Sequence, residues 1–206
     1  MTRVVTVLLT LASAGALSVA GSLAAATQKA DGKFATAVVA TGCFWCTESD
    51  FDKVPGVLAT TSGYTGGKTA NPTYEQVSGG GTGHIEALRI IYDPTKVNYA
   101  KLVQHALRTS DPTDGGGQFC DRGPQYRPAI FSATPAERAI ANAAKAQAGR
   151  ELGKPISTDI LLRTRFYSAE GYHQDYYKKN PIRYRYYRLS YGRDARIKAL
   201  WGSAAR

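Results

Sequence analysis

FATAVVATGCFWCTESDFDKV, residues 34–54, is the stretch whose reading decides the fold class. FATAVVAT (34–41) is a short apolar run rich in valine and threonine, the composition of a buried strand. It stops at Gly42. The following WCTESDFDKV reads as a helix: Glu48, Asp50 and Asp52 favour its N-terminal half, and Phe44, Phe51 and Val54 recur at helical spacing. Pro55-Gly56 ends it. Cys43 therefore stands where a strand gives way to a helix N-terminus. That position, together with the C-x-x-C spacing to Cys46, is expected to lower its thiol pKa and make it a nucleophile.

Outward from this unit the chain keeps alternating. VLATTSGY (57–64) reads as a second strand. Residues 65–83, TGGKTANPTYEQVSGGGTG, form a turn-rich segment too long for a plain connection, a candidate functional loop. HIEALRIIYDP (84–94) alternates with period two: His84, Glu86, Leu88 and Ile90 share one face, so Glu86 opens a strand on a face that then becomes apolar. Asn98 is placed to cap a helix with Tyr99, Leu102, Val103, Ala106 and Leu107 as its stripe. Residues 110–128 are a second long Gly-rich loop, and AIFS is a short strand. Thr134-Pro135-Ala136-Glu137 is a capping box opening a helix over 135–149. STDILLRT (157–164) is another strand, and the tail from Phe166 reads as mostly irregular, with a short helix near its end. The expected class is α/β (α+β): a single domain with a mixed β-sheet core flanked by helices, long irregular loops and a C-terminal tail.

The first 26 residues differ from the rest. A short positive start at Arg3 precedes an uncharged, largely apolar run, and Ala24-Ala25-Ala26 ends it in a pattern that signal peptidases accept. The expected division is a signal peptide over 1–26, with a retained N-terminal membrane anchor as the alternative, and one domain over 27–206, exported to the periplasm or secreted, with no membrane insertion of the mature chain. The formal net charge of +10 is concentrated in the tail, where Lys178, Lys179, Arg183, Arg185, Arg188, Arg193, Arg196 and Lys198 meet a single local acid, Asp194. Interleaved tyrosines suggest a polyanion-binding module. A solvated basic face over packed tyrosines fits an exported protein better, so no nucleic-acid partner is expected.

Three cysteines, Cys43, Cys46 and Cys120, suit a working thiol better than a disulfide framework. On its own the C-x-x-C admits several chemistries. A thioredoxin-like pair lacks its usual small or proline-containing centre and an identifiable cis-proline loop. Zinc would need Cys120 and one of His84, His105 or His173, with no paired ligand spacing to support it, so no metal is expected. A catalytic thiol would need polar help from the two long loops, where Tyr74, Asp121 and Tyr126 lie, and from Glu86, a carboxyl at the mouth of an apolar face.

GCFW with an acid close behind, then GYTGG, NPTYEQV, TGHIEALRIIYDP, SDPTD, QYRPAIF and YHQDYYKKNP, in this order, resemble the peptide methionine sulfoxide reductase A family over nearly the whole of residues 40–201. The resemblance implies a ferredoxin-like sandwich and reduction of methionine-S-sulfoxide, free or in proteins, through a sulfenic acid on Cys43. It assigns acid catalysis to Glu86, hydroxyl donation to Tyr74 and Tyr126, an apolar methyl pocket to Phe44 and Trp45, and substrate orientation to Asp121. It implies no cofactor and a thioredoxin-like dithiol as co-substrate; a monomer is the default expectation. Many members have glycine in place of Cys46, some carry a cysteine in place of Ser78, and others keep cysteines in the tail. Resolution of the sulfenic acid here falls to Cys46, Cys120 or the external thiol directly, with Cys46 preferred because a C-x-x-C disulfide closes readily at a helix start. An exported thiol–disulfide oxidoreductase is the alternative activity.

Overall fold

The computed structural model describes residues 33–202; the expected signal peptide lies outside the described residues. The elements are β1 (Ala35–Ala40), α1 (Phe44–Phe51), β2 (Val57–Thr65), α2 (Tyr74–Ser78), β3 (Ile85–Tyr92), α3 (Tyr99–Arg108), β4 (Gly117–Gln118) and β5 (Asp121–Arg122). After a single 3-10 turn (Pro124–Tyr126) come β6 (Ala129–Ser132), α4 (Pro135–Leu152), β7 (Asp159–Leu162) and β8 (Tyr167–Ser168). The tail forms α5 (Tyr176–Lys179), α6 (Pro181–Ser190) and α7 (Arg193–Trp201).

The main sheet has the order β7-β6-β1-β3-β2-β8. Its inner strands β6-β1-β3-β2 are mutually antiparallel, and with α1 and α3 they trace the β-α-β-β-α-β course of a ferredoxin-like sandwich. β7 adds in parallel to β6 after the crossover through α4, and β8 closes the β2 edge antiparallel, so the sheet is mixed. β4 and β5 form a separate hairpin.

The main core lies between the sheet and the helices. Ala37, Val39, Leu88 and Ile90 from the strands meet Leu102, Val103, Ala106 and Leu107 of α3, and Ala141, Ala144 and Ala148 of α4. The period-two reading of β3 holds: Leu88 and Ile90 face this core, while Ile85 and Ala87 join Val38, Ala40 and Phe131 on the opposite face. Asn98 caps α3 by accepting from the Lys101 amide at 2.9 Å. Thr134 caps α4 by accepting from Glu137 N–H at 3.1 Å, but the Glu137 carboxylate reaches the Ala133 amide (2.7 Å) in place of the cap residue's own. α4 runs to Leu152 and ends on Gly153 in the left-handed region, three residues beyond the expected limit.

The tail corrects the expectation of an irregular segment. Three helices follow one another from Tyr176, and only α7 matches the short helix read near the end. Their stability comes from long-range partners. Ile197 and Trp201 insert into the main core. Arg193, 2% exposed, donates to Thr41 O, Thr41 Oγ1 and Thr109 O at 3.0, 3.2 and 2.6 Å. Of the basic run, Lys178, Lys179, Arg183, Arg185, Arg196 and Lys198 are exposed, as a solvated face requires, but Arg188 and Arg193 are buried, and several of the eight are paired. Arg188 pairs with Asp50 and Asp194, Lys178 with Asp52 and Asp175, and Arg196 with Asp111. Among the described residues no helix is long and apolar enough to cross a membrane.

Candidate active site

The β1–α1 turn sets the position of Cys43. Gly42 adopts φ +87°, and a Cβ there would stand 2.5 Å from Gln118 Cβ, so glycine alone passes the chain this close to β4. Cys43 is the N-terminal boundary residue of α1. Thr47 Oγ1 donates to Cys43 O at 3.1 Å and contacts Thr41 Oγ1 at 2.8 Å, which pins the turn from within the helix.

Cys43 lines a cleft of about 380 Å³ with Phe44, Trp45, Tyr74, Glu86, Asp121 and Tyr126. These residues come from α1, α2, β3, β5 and the 3-10 turn, and they include every catalytic and substrate-binding residue expected from the sequence. The long 65–83 segment carries α2, whose Thr73/Gln76 capping box places Tyr74 at the first helical position. Phe44 is 1% exposed and packs against Tyr64, so the floor beside Cys43 is apolar.

Glu86 is fully buried on the helix-facing side of β3, and its Oε2 accepts from Phe44 N–H at 3.1 Å. Burial pushes its carboxyl up to about 8; the Phe44 bond opposes this and the nearby Asp121 adds to it. Glu86 therefore holds a proton at neutral pH. The Tyr74 phenol, pushed up to about 12 by burial and then by Glu86, is hydrogen-bonded to Tyr126, whose own phenol is raised by burial further still. Both stay hydrogen-bond donors throughout the physiological range.

Stability should record the buried proton. Between pH about 4.5 and about 8 the folded chain keeps a proton on Glu86 that the unfolded chain has released, so stability declines as pH rises through that window. Glu86→Gln removes this slope. Denaturant titrations at pH 5 and pH 8 should show the variant's relative stability improving by on the order of 3 kcal/mol at the higher pH. An equal difference at both pH values would mean that Glu86 has no raised pKa.

One expectation is overturned. The Cys43 thiol is not lowered by the helix start; it is raised well above the ordinary cysteine value. Burial is the main cause, followed by its hydrogen bond and charge interaction with Cys46 and by the carboxyls of Glu86 and Asp121. The first α1 amide is already spent on Glu86, which removes a donor the thiolate would need. Cys46, 2% exposed and in hydrogen-bond contact with Cys43, is the partner with the lowered value. Cys120 is exposed, and its thiol donates to Tyr191 O at 3.8 Å. Among the described residues no cluster of three or more His, Cys, Asp and Glu could hold a metal ion.

The tail supplies a wall that the sequence reading did not assign. Tyr176, Arg183, Tyr187 and Tyr191 complete the cleft. Tyr176 stacks on Trp45 with centroids 3.7 Å apart and planes 6° from parallel. Tyr187 donates to Asp121 Oδ2 at 2.6 Å. Trp45 Nε1 donates to His173 Nδ1 at 2.9 Å, which places the ring proton of neutral His173 on Nε2. Glu170 accepts from both Tyr74 N–H and Tyr64 O–H at 2.8 Å, anchoring α2 to the segment before α5. YHQDYY was a visible signal for this wall, but with 13 tyrosines in the chain nothing local marked Tyr176 or Tyr187.

A cleft that sets a thiol, a proton-holding carboxyl and two phenols around an apolar floor can deliver a nucleophile and a proton to one small polar group. Comparison with known proteins agrees. The family model described as peptide methionine sulfoxide reductase matches residues 35–205. The chain belongs to the peptide methionine sulfoxide reductase family. It is 54% identical to peptide methionine sulfoxide reductase MsrA 2 of Rhizobium meliloti over 169 residues, covering 82% of this chain and 84% of the relative. It is 52% identical to the MsrA 2 of Caulobacter vibrioides over 190 residues, covering 92% and 95%. Among solved structures, methionine sulfoxide reductase A of Corynebacterium diphtheriae matches with a TM-score of 0.66 at 36% identity, over 73% of this chain and 76% of that one. Mxr1 from Saccharomyces cerevisiae in reduced form matches with a TM-score of 0.69 at 32% identity, over 72% and 87%. The family match runs through the sandwich and through the helical tail that completes the cleft.

Proposed function

We propose that this protein reduces methionine-S-sulfoxide, free and in oxidised proteins, to methionine, with Cys43 as the oxygen acceptor. The observation that carries the reading is the convergence of Glu86, Tyr74 and Tyr126 on Cys43 above the Phe44 floor. The S-methyl group packs on Phe44 and Trp45, a contact that suits sulfur. The sulfoxide oxygen receives hydrogen bonds from the two phenols and a proton from Glu86, and the Cys43 sulfur attacks the sulfoxide sulfur. Methionine departs and Cys43 carries the oxygen as a sulfenic acid. The Cys43 thiol proton replaces the one Glu86 gave, so the resting site, with Cys43 and Glu86 both protonated, holds every proton the step consumes. Asp121, held by Tyr187, orients the substrate backbone.

Cys46 then condenses with the sulfenic acid to give a Cys43–Cys46 disulfide and water. Contact between the two thiols supports Cys46 over Cys120, which lies exposed against Tyr191. After one turnover without reductant, peptide mass spectrometry should find Cys43 linked to Cys46. A Cys43–Cys120 peptide would reverse that assignment.

The reductant we propose is a thioredoxin-like dithiol; Mxr1 of Saccharomyces cerevisiae has been crystallised in complex with Trx2. Because residues 1–26 have the pattern of a leader, we place the domain of residues 27–206 outside the cytoplasm. N-terminal sequencing of the native protein should then begin near residue 27. We also propose that the chain works as a monomer. Reduction of separated methionine sulfoxide epimers, beside insulin-disulfide reduction, tests the activity. Consumption of the S epimer alone supports the reading, and disulfide reduction without it would favour the thiol–disulfide oxidoreductase.

A further inference from the structure

Two guanidinium groups are buried beside Cys46, and the cleft chemistry makes no use of them. Arg188 and Arg193 are 8% and 2% exposed. Arg188 Nη2 lies 2.9 Å from Asp50 Oδ1, and Arg193 Nη2 lies 3.5 Å from Asp50 Oδ2. Asp50 stands one turn beyond Cys46 on α1. Arg188 Nη1 donates at 2.9 Å to the hydroxyl of Tyr184, and Tyr184 packs in the same cluster as Cys46.

The charge there does not balance. The two buried cations share one fully buried carboxylate, Asp50; the second acid on Arg188, Asp194, has a side chain 43% exposed to water, and Asp121 of β5, which also feels the charge of Arg193, makes no ion pair with it among the described residues and accepts from Tyr187 instead. The other partners of Arg193 are neutral, namely backbone and threonine oxygens and the Phe119 ring, whose centroid lies 4.8 Å from the guanidinium carbon, and among the described residues its Nε has no hydrogen-bond partner. A buried cation is costly unless an anion or a full set of hydrogen bonds compensates it. Cys46 is the group in position to become that anion. The others that face it cannot. Glu86 from β3 stays protonated up to about pH 8, and burial raises the phenols of Tyr184 and Tyr187 from α6. Cys43, also on the α1 side, is held as a thiol and donates to Cys46.

We propose that Arg188 and Arg193 are positioning residues that hold the Cys46 sulfur as a thiolate, first to attack oxidised Cys43 and later to leave when the reductant attacks. The proposal rests on the reading above in which Cys46 is the resolver. In the first step the Cys46 thiolate bonds to the Cys43 sulfur, the Cys43 S–O bond breaks, and the departing hydroxide takes a proton to leave as water. In the second, one thiolate of the dithiol reductant bonds to Cys43, which lines the cleft, and the S–S bond breaks so that Cys46 departs as a thiolate. The reductant's second thiolate then displaces Cys43, which recovers its proton, and the dithiol leaves as a disulfide. The cation pair lowers the energy of the thiolate in both steps. The shift at Cys46 agrees: the Cys43 hydrogen bond lowers its value most, Arg193 and Arg188 add to that, and burial and Asp50 oppose it.

The test is a quenched single turnover of the reduced enzyme with methionine-S-sulfoxide and no reductant, across pH 5 to 9. Peptide mass spectrometry quantifies trapped Cys43 sulfenic acid against the Cys43–Cys46 disulfide. In Arg188→Gln the midpoint for disulfide formation should rise by about one pH unit, about a tenfold slowing on the acid side. Arg188→Lys should keep the wild-type midpoint, and Asp194→Asn should lower it. Damage to packing would slow all pH values alike and would not move the two charge variants in opposite directions. If Arg188→Gln does not fold, the Asp194→Asn profile decides, and an unmoved midpoint there overturns the proposal. A Cys43–Cys46 peptide with the same profile in wild type and Arg188→Gln overturns the arginine role alone. A Cys43–Cys120 peptide in the wild type overturns the choice of Cys46 and this role with it.

Discussion

Cys43→Ser is expected to lower methionine formation from the S epimer by about 10⁴-fold or more, to the uncatalysed background. The reason is chemical rather than architectural. The step moves an oxygen atom from one sulfur to another, and a serine hydroxyl has no equivalent of the sulfenic acid. Cys46 and Cys120 remain in this variant, so its inactivity would also show that neither substitutes for Cys43. Gly42, Thr41 and Thr47 fix the turn independently of the thiol, so the thermal midpoint should stay within a few degrees of wild type. Chromatographic assay of methionine, alongside thermal melts, checks both halves of the expectation. Retained reduction in a folded Cys43→Ser protein would remove Cys43 from the mechanism.

Glu86→Gln is expected to cost about 10²–10⁴-fold in the first turnover, the range for losing a positioned general acid. Glutamine can still accept from Phe44 N–H and donate an amide hydrogen toward the sulfoxide oxygen, so the site keeps its shape and loses only the transferable proton. The pH profile gives a sharper sign. Glu86 is active when protonated, and burial holds its pKa up at about 8. The wild-type first-turnover rate should therefore hold below that value and fall above it, and the fall should be missing in Glu86→Gln. Rapid-quench measurement from pH 6 to 10 checks this. A wild-type rate that rises steadily through pH 8 would assign the acid's role to another group.

The sequence made local features legible. A strand, one glycine and a helix over 34–54, the period-two face of β3, and the caps at Asn98 and Thr134 are each decided by residues within one turn or strand of one another. The same holds for the cleft residues that ordered motifs could mark. What escaped was decided at long range. α6 and α7 are held by Arg188 on Asp50, Arg193 on Thr41 and Thr109, and Trp201 in the core, partners that no local period reveals. Tyr187 matters because the fold brings its hydroxyl to Asp121, across 66 positions of sequence. The Cys43 pKa went the wrong way for a related reason. Helix start and C-x-x-C spacing are local arguments for a lowered value, and burial, with Cys46, Glu86 and Asp121 alongside, outweighs them.

The central claim is that Cys43 takes the oxygen from methionine-S-sulfoxide and passes the oxidation to Cys46. Its most direct measurement is a stoichiometric turnover of the reduced wild-type protein, with its three free thiols, against each epimer in the absence of reductant. One methionine per chain from the S epimer, none from the R epimer, with the loss of two thiols and Cys120 left free, is the predicted result. Methionine released while Cys43 remains a free thiol, or released equally from both epimers, would contradict it.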